Sequence, residues 1–73
     1  MTVTIRSVDK NPYETDVDMD VGSILEIAKD LGLSVSVEFN GDGKITILAE
    51  SRGDAEGLAE EVFAMLDLIN LRL

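Results

Sequence analysis

The residues of this sequence that could do chemistry are mostly carboxylates. Asp16, Asp18 and Asp20 follow one another at alternate positions, a pattern that resembles the start of a calcium-binding loop. An EF-hand loop also needs a glycine at its sixth position and a bidentate glutamate at its twelfth, and this chain has Val21 and Ile27 there. We therefore interpret the three aspartates as the solvated face of an edge strand, whose charges prevent pairing with another sheet. No metal site is expected.

Nucleophilic catalysis has little support. The chain has no histidine and no cysteine, which excludes histidine bases, thiol nucleophiles, disulfides and the usual zinc sites. Ser23 and Ser51 have no base beside them, and both are interpreted as helix caps, with Asp20 as the other candidate for the cap of the first helix. Arg52-Gly53-Asp54 spells the integrin-binding tripeptide, but it lies where a strand passes into a helix, so Asp54 is interpreted as a helix cap. We predict that the chain is not an enzyme and holds no cofactor.

The charge balance narrows the range of partners. Fifteen acidic residues against six basic ones give a net charge of −9. Binding to nucleic acid or to an anionic membrane surface needs a basic patch, so neither is expected, whereas a partner with a basic surface fits. No apolar run approaches the roughly 18 residues of a membrane helix. Residues 1–10 have no signal-peptide pattern, and we therefore expect a cytoplasmic protein.

The hydrophobic pattern predicts the elements that would position these residues. A period of two is typical of half-buried strands, and a period near 3.6 is typical of amphipathic helices. Gly32 is expected to end the first helix in the left-handed conformation, and Asn-Gly-Asp-Gly at 40–43 is a hairpin turn. The predicted elements are strands at 2–8 and 13–21, a helix at 22–31, strands at 33–39 and 45–49, and a long final helix that begins between Ser51 and Asp54.

The order ββαββα predicts a single α+β domain over residues 1–73. One face of the sheet is aliphatic and must be covered by both helices, while the other carries threonine, serine and acids. The result is a two-layer sandwich with a four-stranded, mainly antiparallel sheet. We predict the strand order 3-4-1-2, because the acid-rich second strand suits an edge.

The final helix has more apolar residues than one core stripe can hold. Leu68 and Leu71 point away from the stripe, and Phe63 and Met65 flank it, which is typical of a helix end buried on several sides or involved in association. We predict a weak homodimer through the surface of Phe63, Met65, Leu68 and Leu71. The alternative is that the helix ends at Asn70 and the tail turns back along the core. The predicted core stripe comprises Ala55, Leu58, Ala59, Val62, Leu66 and Ile69.

Several stretches resemble the phosphocarrier HPr family. Residues 20–28, Asp-Val-Gly-Ser-Ile-Leu-Glu-Ile-Ala, are similar to its second helix, and residues 41–50 and 53–59 are similar to its last strand and last helix. The resemblance implies the strand order given above and matches Ser23 to the regulatory serine of the family. The family's first strand and first helix, with the phosphorylated histidine, have no counterpart, so phosphotransfer is excluded. Residues 39–70 are also similar to the small dimerisation subunit of the KEOPS tRNA-modification complex.

A de novo designed origin is equally compatible with the sequence. Histidine, cysteine, tryptophan and glutamine are all missing, each helix has a cap and each hairpin has turn residues, and such agreement between levels is what designers aim for. The leading hypothesis is a non-catalytic module, designed or isolated, whose activity is self-association. The alternative is a natural acidic interaction module, similar to HPr without its histidine, that docks on a basic protein.

Overall fold

Four strands and two helices follow one another in the predicted order. The computed structural model describes residues 2–10 and 12–71, except for the side chain of Leu71. The ββαββα order and the α+β class are confirmed. The elements are β1 (Val3–Ser7), β2 (Glu14–Val17), α1 (Val21–Asp30), β3 (Val35–Phe39), β4 (Ile45–Ala49) and α2 (Arg52–Leu71).

The strands form one mixed sheet in the order β2-β1-β4-β3. This is the predicted order 3-4-1-2, counted from the other edge. Both hairpins are antiparallel, and the two central strands, β1 and β4, run parallel with Ile5 opposite Ile47. Val3, Ile5 and Ile47 are fully buried, so the centre of the sheet is also the centre of the core.

The first hairpin is closed by a buried serine. The Ser7 backbone N–H donates to the Tyr13 carbonyl oxygen at 2.9 Å, and the Ser7 hydroxyl oxygen accepts from the Tyr13 N–H at 2.8 Å. β2 therefore begins only at Glu14, and it ends at Val17. The prediction of a strand that continues to Val21 was wrong, because Val21 is the first residue of α1.

Local hydrogen bonds define both ends of α1. The Asp20 carboxylate accepts from the Ser23 N–H at 3.1 Å and is the N-cap, so Ser23 lies inside the first turn and is not the cap. At the other end, Gly32 has a φ of +73°. The Leu33 N–H donates to the Ala28 carbonyl at 2.9 Å, which completes a Schellman motif. The predicted stop at Gly32 is confirmed.

α2 is capped from two sides. The Ser51 hydroxyl oxygen accepts from the Asp54 N–H at 3.1 Å, and Asp9 from the first hairpin loop accepts from the Arg52 N–H at 2.9 Å. Ser51 is thus the cap that the sequence predicts, and the interpretation of Asp54 as a cap was wrong. Asp54 lies in the first turn, where the helix dipole favours its negative charge.

The core lies between the helices and one face of the sheet. α2 packs against β1, β2 and β4, and α1 packs against α2. The largest fully buried side chains come from three strands and both helices: Val3, Ile5, Val17, Ile24, Ile47, Leu58 and Val62.

The left-handed conformation of Gly32 gives a test of this fold. Apart from its chain neighbours, no atom lies within 4 Å of a Cβ built at Gly32 or at Gly41, and among the described glycines only Gly32 and Gly43 have positive φ. Gly32→Ala should lower the free energy of unfolding by about 1–2 kcal/mol, the backbone cost of a left-handed residue that carries a side chain. Gly41→Ala should be neutral or slightly stabilising. Equal losses in urea denaturation would contradict the assignment of the Gly32 turn.

Candidate functional site

α2 is longer than the sheet that it covers. Its 20 residues span about 30 Å at the rise of an α-helix. The five-residue strands β1 and β4 span only about 17 Å. The buried residues of α2 are Ala55, Leu58, Ala59 and Val62, all in its first half. From residue 63 to residue 70 no side chain is buried, and only Leu66 is half-buried, so this part of the helix extends beyond the core.

Three large apolar side chains lie together on this projecting part. Met65, Leu68 and Ile69 are 41%, 54% and 49% exposed. They occupy positions i, i+3 and i+4, which are neighbours on a helix surface. We call these three residues the helix-end patch.

The predicted interaction surface is only partly brought together. Met65 and Leu68 lie in the helix-end patch, whereas Phe63, 41% exposed, lies about 160° around the helix from Met65. The side chain of Leu71 falls outside the described residues. Phe63 therefore does not share a surface with Met65 and Leu68.

Ile69 is the residue that sequence reasoning missed. It was predicted to lie in the core stripe, and its direction, within about 20° of Leu58 around the helix, agrees with that prediction. It is nevertheless half-exposed, because the sheet ends before the helix reaches it. A comparison of helix length with strand length would have revealed this from the sequence.

The aspartates of the acidic stretch have structural partners. Thr4 Oγ1 donates to Asp16 Oδ1 at 2.7 Å across the edge pair of strands, and Asp20 caps α1. The edge-strand interpretation is confirmed for Asp16, but Asp18 and Asp20 follow the end of β2. Within residues 2–10 and 12–71 no three carboxylates are grouped so that they could hold a metal ion.

Ser23 and Asp20 form a closed pair at the start of α1. The Ser23 hydroxyl donates to Asp20 Oδ1 at 2.8 Å. This bond and the one from the Ser23 N–H hold the pKa of Asp20 below its ordinary value of 3.8. A phosphate on Ser23 would remove this donor and place a second negative group beside the carboxylate. The geometry does not favour the regulatory phosphorylation that the HPr resemblance suggests.

The Arg52-Gly53-Asp54 tripeptide lies in the first turn of α2. Arg52 Nε donates to Glu56 Oε1 at 2.6 Å, which raises the pKa of Arg52 above its ordinary value. The Arg52 side chain is thus paired within the helix, and the Asp54 backbone N–H donates to the Ser51 hydroxyl, so both residues have structural roles at the helix start.

Comparison of the chain with family models, with curated proteins and with solved structures returned no match. In the described part of the chain, neither helix is long and apolar enough to cross a membrane.

The capping pair predicts a pH dependence of stability. Because the folded-state pKa of Asp20 is below its unfolded value of about 3.8, the ionised cap stabilises the fold above that value. This contribution is lost as the pH falls through the folded-state pKa. The stability advantage of the wild type over Asp20→Asn, which keeps a capping oxygen, should therefore shrink on acidification. Ser23→Ala should weaken the dependence by raising the Asp20 pKa. A difference that is independent of pH would contradict this role of the carboxylate.

Proposed function

We propose that this chain is a non-catalytic module that self-associates through the helix-end patch. The observation that carries the proposal is the exposure of Met65, Leu68 and Ile69 on a part of α2 that extends past the core. Apolar side chains grouped in this way lower their free energy when a second surface removes them from water.

A second copy of the chain fits this patch by symmetry. In a two-fold dimer the same residues of both copies face each other, so the two α2 ends would cross with Leu68 near the axis. The patch has three side chains, whereas a stable interface uses about 20–30 residues on each side. The proposed dimer is therefore weak. Repulsion between two chains of charge −9 weakens it further, and salt screens that repulsion beyond about 8–10 Å.

The serines and aspartates that the sequence offers for catalysis support the non-catalytic part of this proposal. Ser51 caps α2, Ser23 donates to Asp20, and Asp16 accepts from Thr4. These hydroxyls and carboxylates are thus parts of local structural pairs. This proposal does not rest on three other predictions from the sequence. These are the designed or isolated origin, the resemblance to HPr and the cytoplasmic location, and they stay predictions.

The proposal is tested with neutral substitutions that keep the charge and the helix propensity. The double variant Leu68→Gln, Ile69→Gln removes two patch residues, and Phe63→Gln is the matched control on the opposite side of the helix. The double variant loses partly exposed apolar contacts in both copies, so the Kd of the dimer should rise at least about tenfold. The control should keep the wild-type Kd.

Sedimentation equilibrium from micromolar to millimolar concentration gives the measurement, at low and at high salt. The wild type should show a concentration-dependent dimer that added salt strengthens. A wild type that stays monomeric throughout the range, or a Phe63→Gln variant that loses as much affinity as the double variant, would refute the proposed interface.

A further inference from the structure

β3 is an edge strand without the usual protection against pairing. It lies at one end of the order β2-β1-β4-β3, and its register with β4 runs without a bulge from Val35 to Phe39. Glu38 is its only charged residue. The other edge, β2, has Glu14 and Asp16 in its four residues, charges that disfavour the addition of another strand. The two edges of this sheet are therefore chemically different.

A turn hydrogen bond fixes which backbone groups of β3 face outward. The Asn40 N–H donates to the Lys44 carbonyl at 2.9 Å, so these two residues are a hydrogen-bonded pair at the end of the hairpin. Hydrogen-bonded and non-hydrogen-bonded pairs alternate along an antiparallel ladder. Every second residue before Asn40 consequently bonds to β4, and those in between direct their N–H and C=O groups to the free edge. These outward residues are Val35, Val37 and Phe39.

A shallow cavity of about 210 Å³ lies beside this edge, on the sheet face opposite the helices. Leu48, which is half-buried, and Val8, which is 61% exposed, give it an apolar lining. Ser34 and Ser36 of the β3 side are small, so the cavity is open toward the edge. The exposed Glu50 also lines it.

We propose that β3 accepts an extended basic segment of a partner protein as a fifth strand of the sheet. Backbone pairing would come from Val35, Val37 and Phe39, as in other cases of strand addition. A lysine or arginine of the segment would lie across Ser36 into the cavity, with its aliphatic stem on Leu48 and its charge at Glu50.

The negative charge of the chain and of this edge favours a basic partner segment over a second copy of the chain. The chain carries −9 overall, and Glu38 and Glu50 flank the cavity side of the edge, so an added basic strand is attracted where a second acidic chain is repelled. Two bases lie on this face: Lys44, which pairs with Asn40 at the far end of the hairpin, and Arg6, which is opposite Leu48 of β4 and Glu14 of β2. The opposite charge of Glu14 directly across the strand pair offsets that of Arg6, and Lys44 lies at the other end of the hairpin from Glu50.

The probe is the acetylated and amidated peptide Lys-Val-Lys-Val-Lys-Val-Lys, which presents lysines on one face when extended. Titration into the ¹⁵N-labelled chain should give saturable NMR shifts and slower amide exchange at Val35, Val37 and Phe39. Glu14 and Asp16 on the other edge should change little. The same peptide with glutamate in place of lysine should not bind.

Val37→Pro removes one outward N–H without removing a bond to β4. It should weaken peptide binding at least about tenfold, as expected when one edge position is blocked. Glu14→Pro is the matched control, because the Ser7–Tyr13 pair places the Glu14 N–H outward on the other edge. It should leave peptide binding unchanged. Glu50→Gln should weaken binding several-fold by removing the charge at the cavity.

Unchanged affinity in a folded Val37→Pro variant would overturn the proposal. Shifts of equal size on both edges would also overturn it, since they show attraction to acids without strand addition. Self-association of the wild type that Val37→Pro abolishes would identify a second copy as the occupant and refute the basic partner. If Val37→Pro does not fold, amide exchange of the wild type with and without the lysine peptide decides the question. Slower exchange at Val37 and Phe39 in the presence of the peptide supports the proposal, and unchanged exchange refutes it.

Discussion

The mismatch in length between α2 and the sheet is the constraint on which the rest of the structure depends. The first half of the helix fills the core, with Ala55, Leu58, Ala59 and Val62 buried against the sheet. The second half continues past strands of five residues, and within the described residues only Leu66 of its side chains is half-buried. A chain of 73 residues buries only about 60% of the surface it exposes when unfolded, so it has little other structure to place there. The helix-end patch is a direct consequence.

The polar residues mostly serve the ends of elements. Asp20 starts α1, while Asp9 and Ser51 start α2, and Ser7 closes the first hairpin from a buried position. These groups satisfy backbone donors that the helices and loops would otherwise leave unpaired. The strong acidity of the chain is therefore partly a requirement of its fold. Among the described residues, the end of α2 and the outer side of β3 both keep large apolar side chains exposed.

Local chemistry explains why most of the fold could be predicted. Gly32, the Asn-Gly-Asp-Gly turn and Ser51 act within a few residues of their own position, and alternation identifies the inner face of each strand. The errors came from effects beyond that range. Val21 continues the alternation of the second strand, but the Asp20 cap makes it the first residue of a helix. Ile69 points toward the core but is exposed, because the sheet ends before the helix reaches it. The periodicity of the sequence predicts the direction of a side chain and not whether the sheet extends far enough to cover it. The sequence accordingly predicts this surface with Phe63 and Leu71 and without Ile69, and the side chain of Leu71 lies outside the described residues.

Amide hydrogen exchange along α2, followed as a function of protein concentration, tests the central claim most directly. If the second half of the helix is covered only by association, the protection of residues 67–70 should rise with concentration, while that of residues 55–62 stays constant because the core of one chain already holds it. Protection of residues 67–70 that equals that of residues 55–62 at every concentration would contradict the account, since it would mean that the helix end is already secured within one chain.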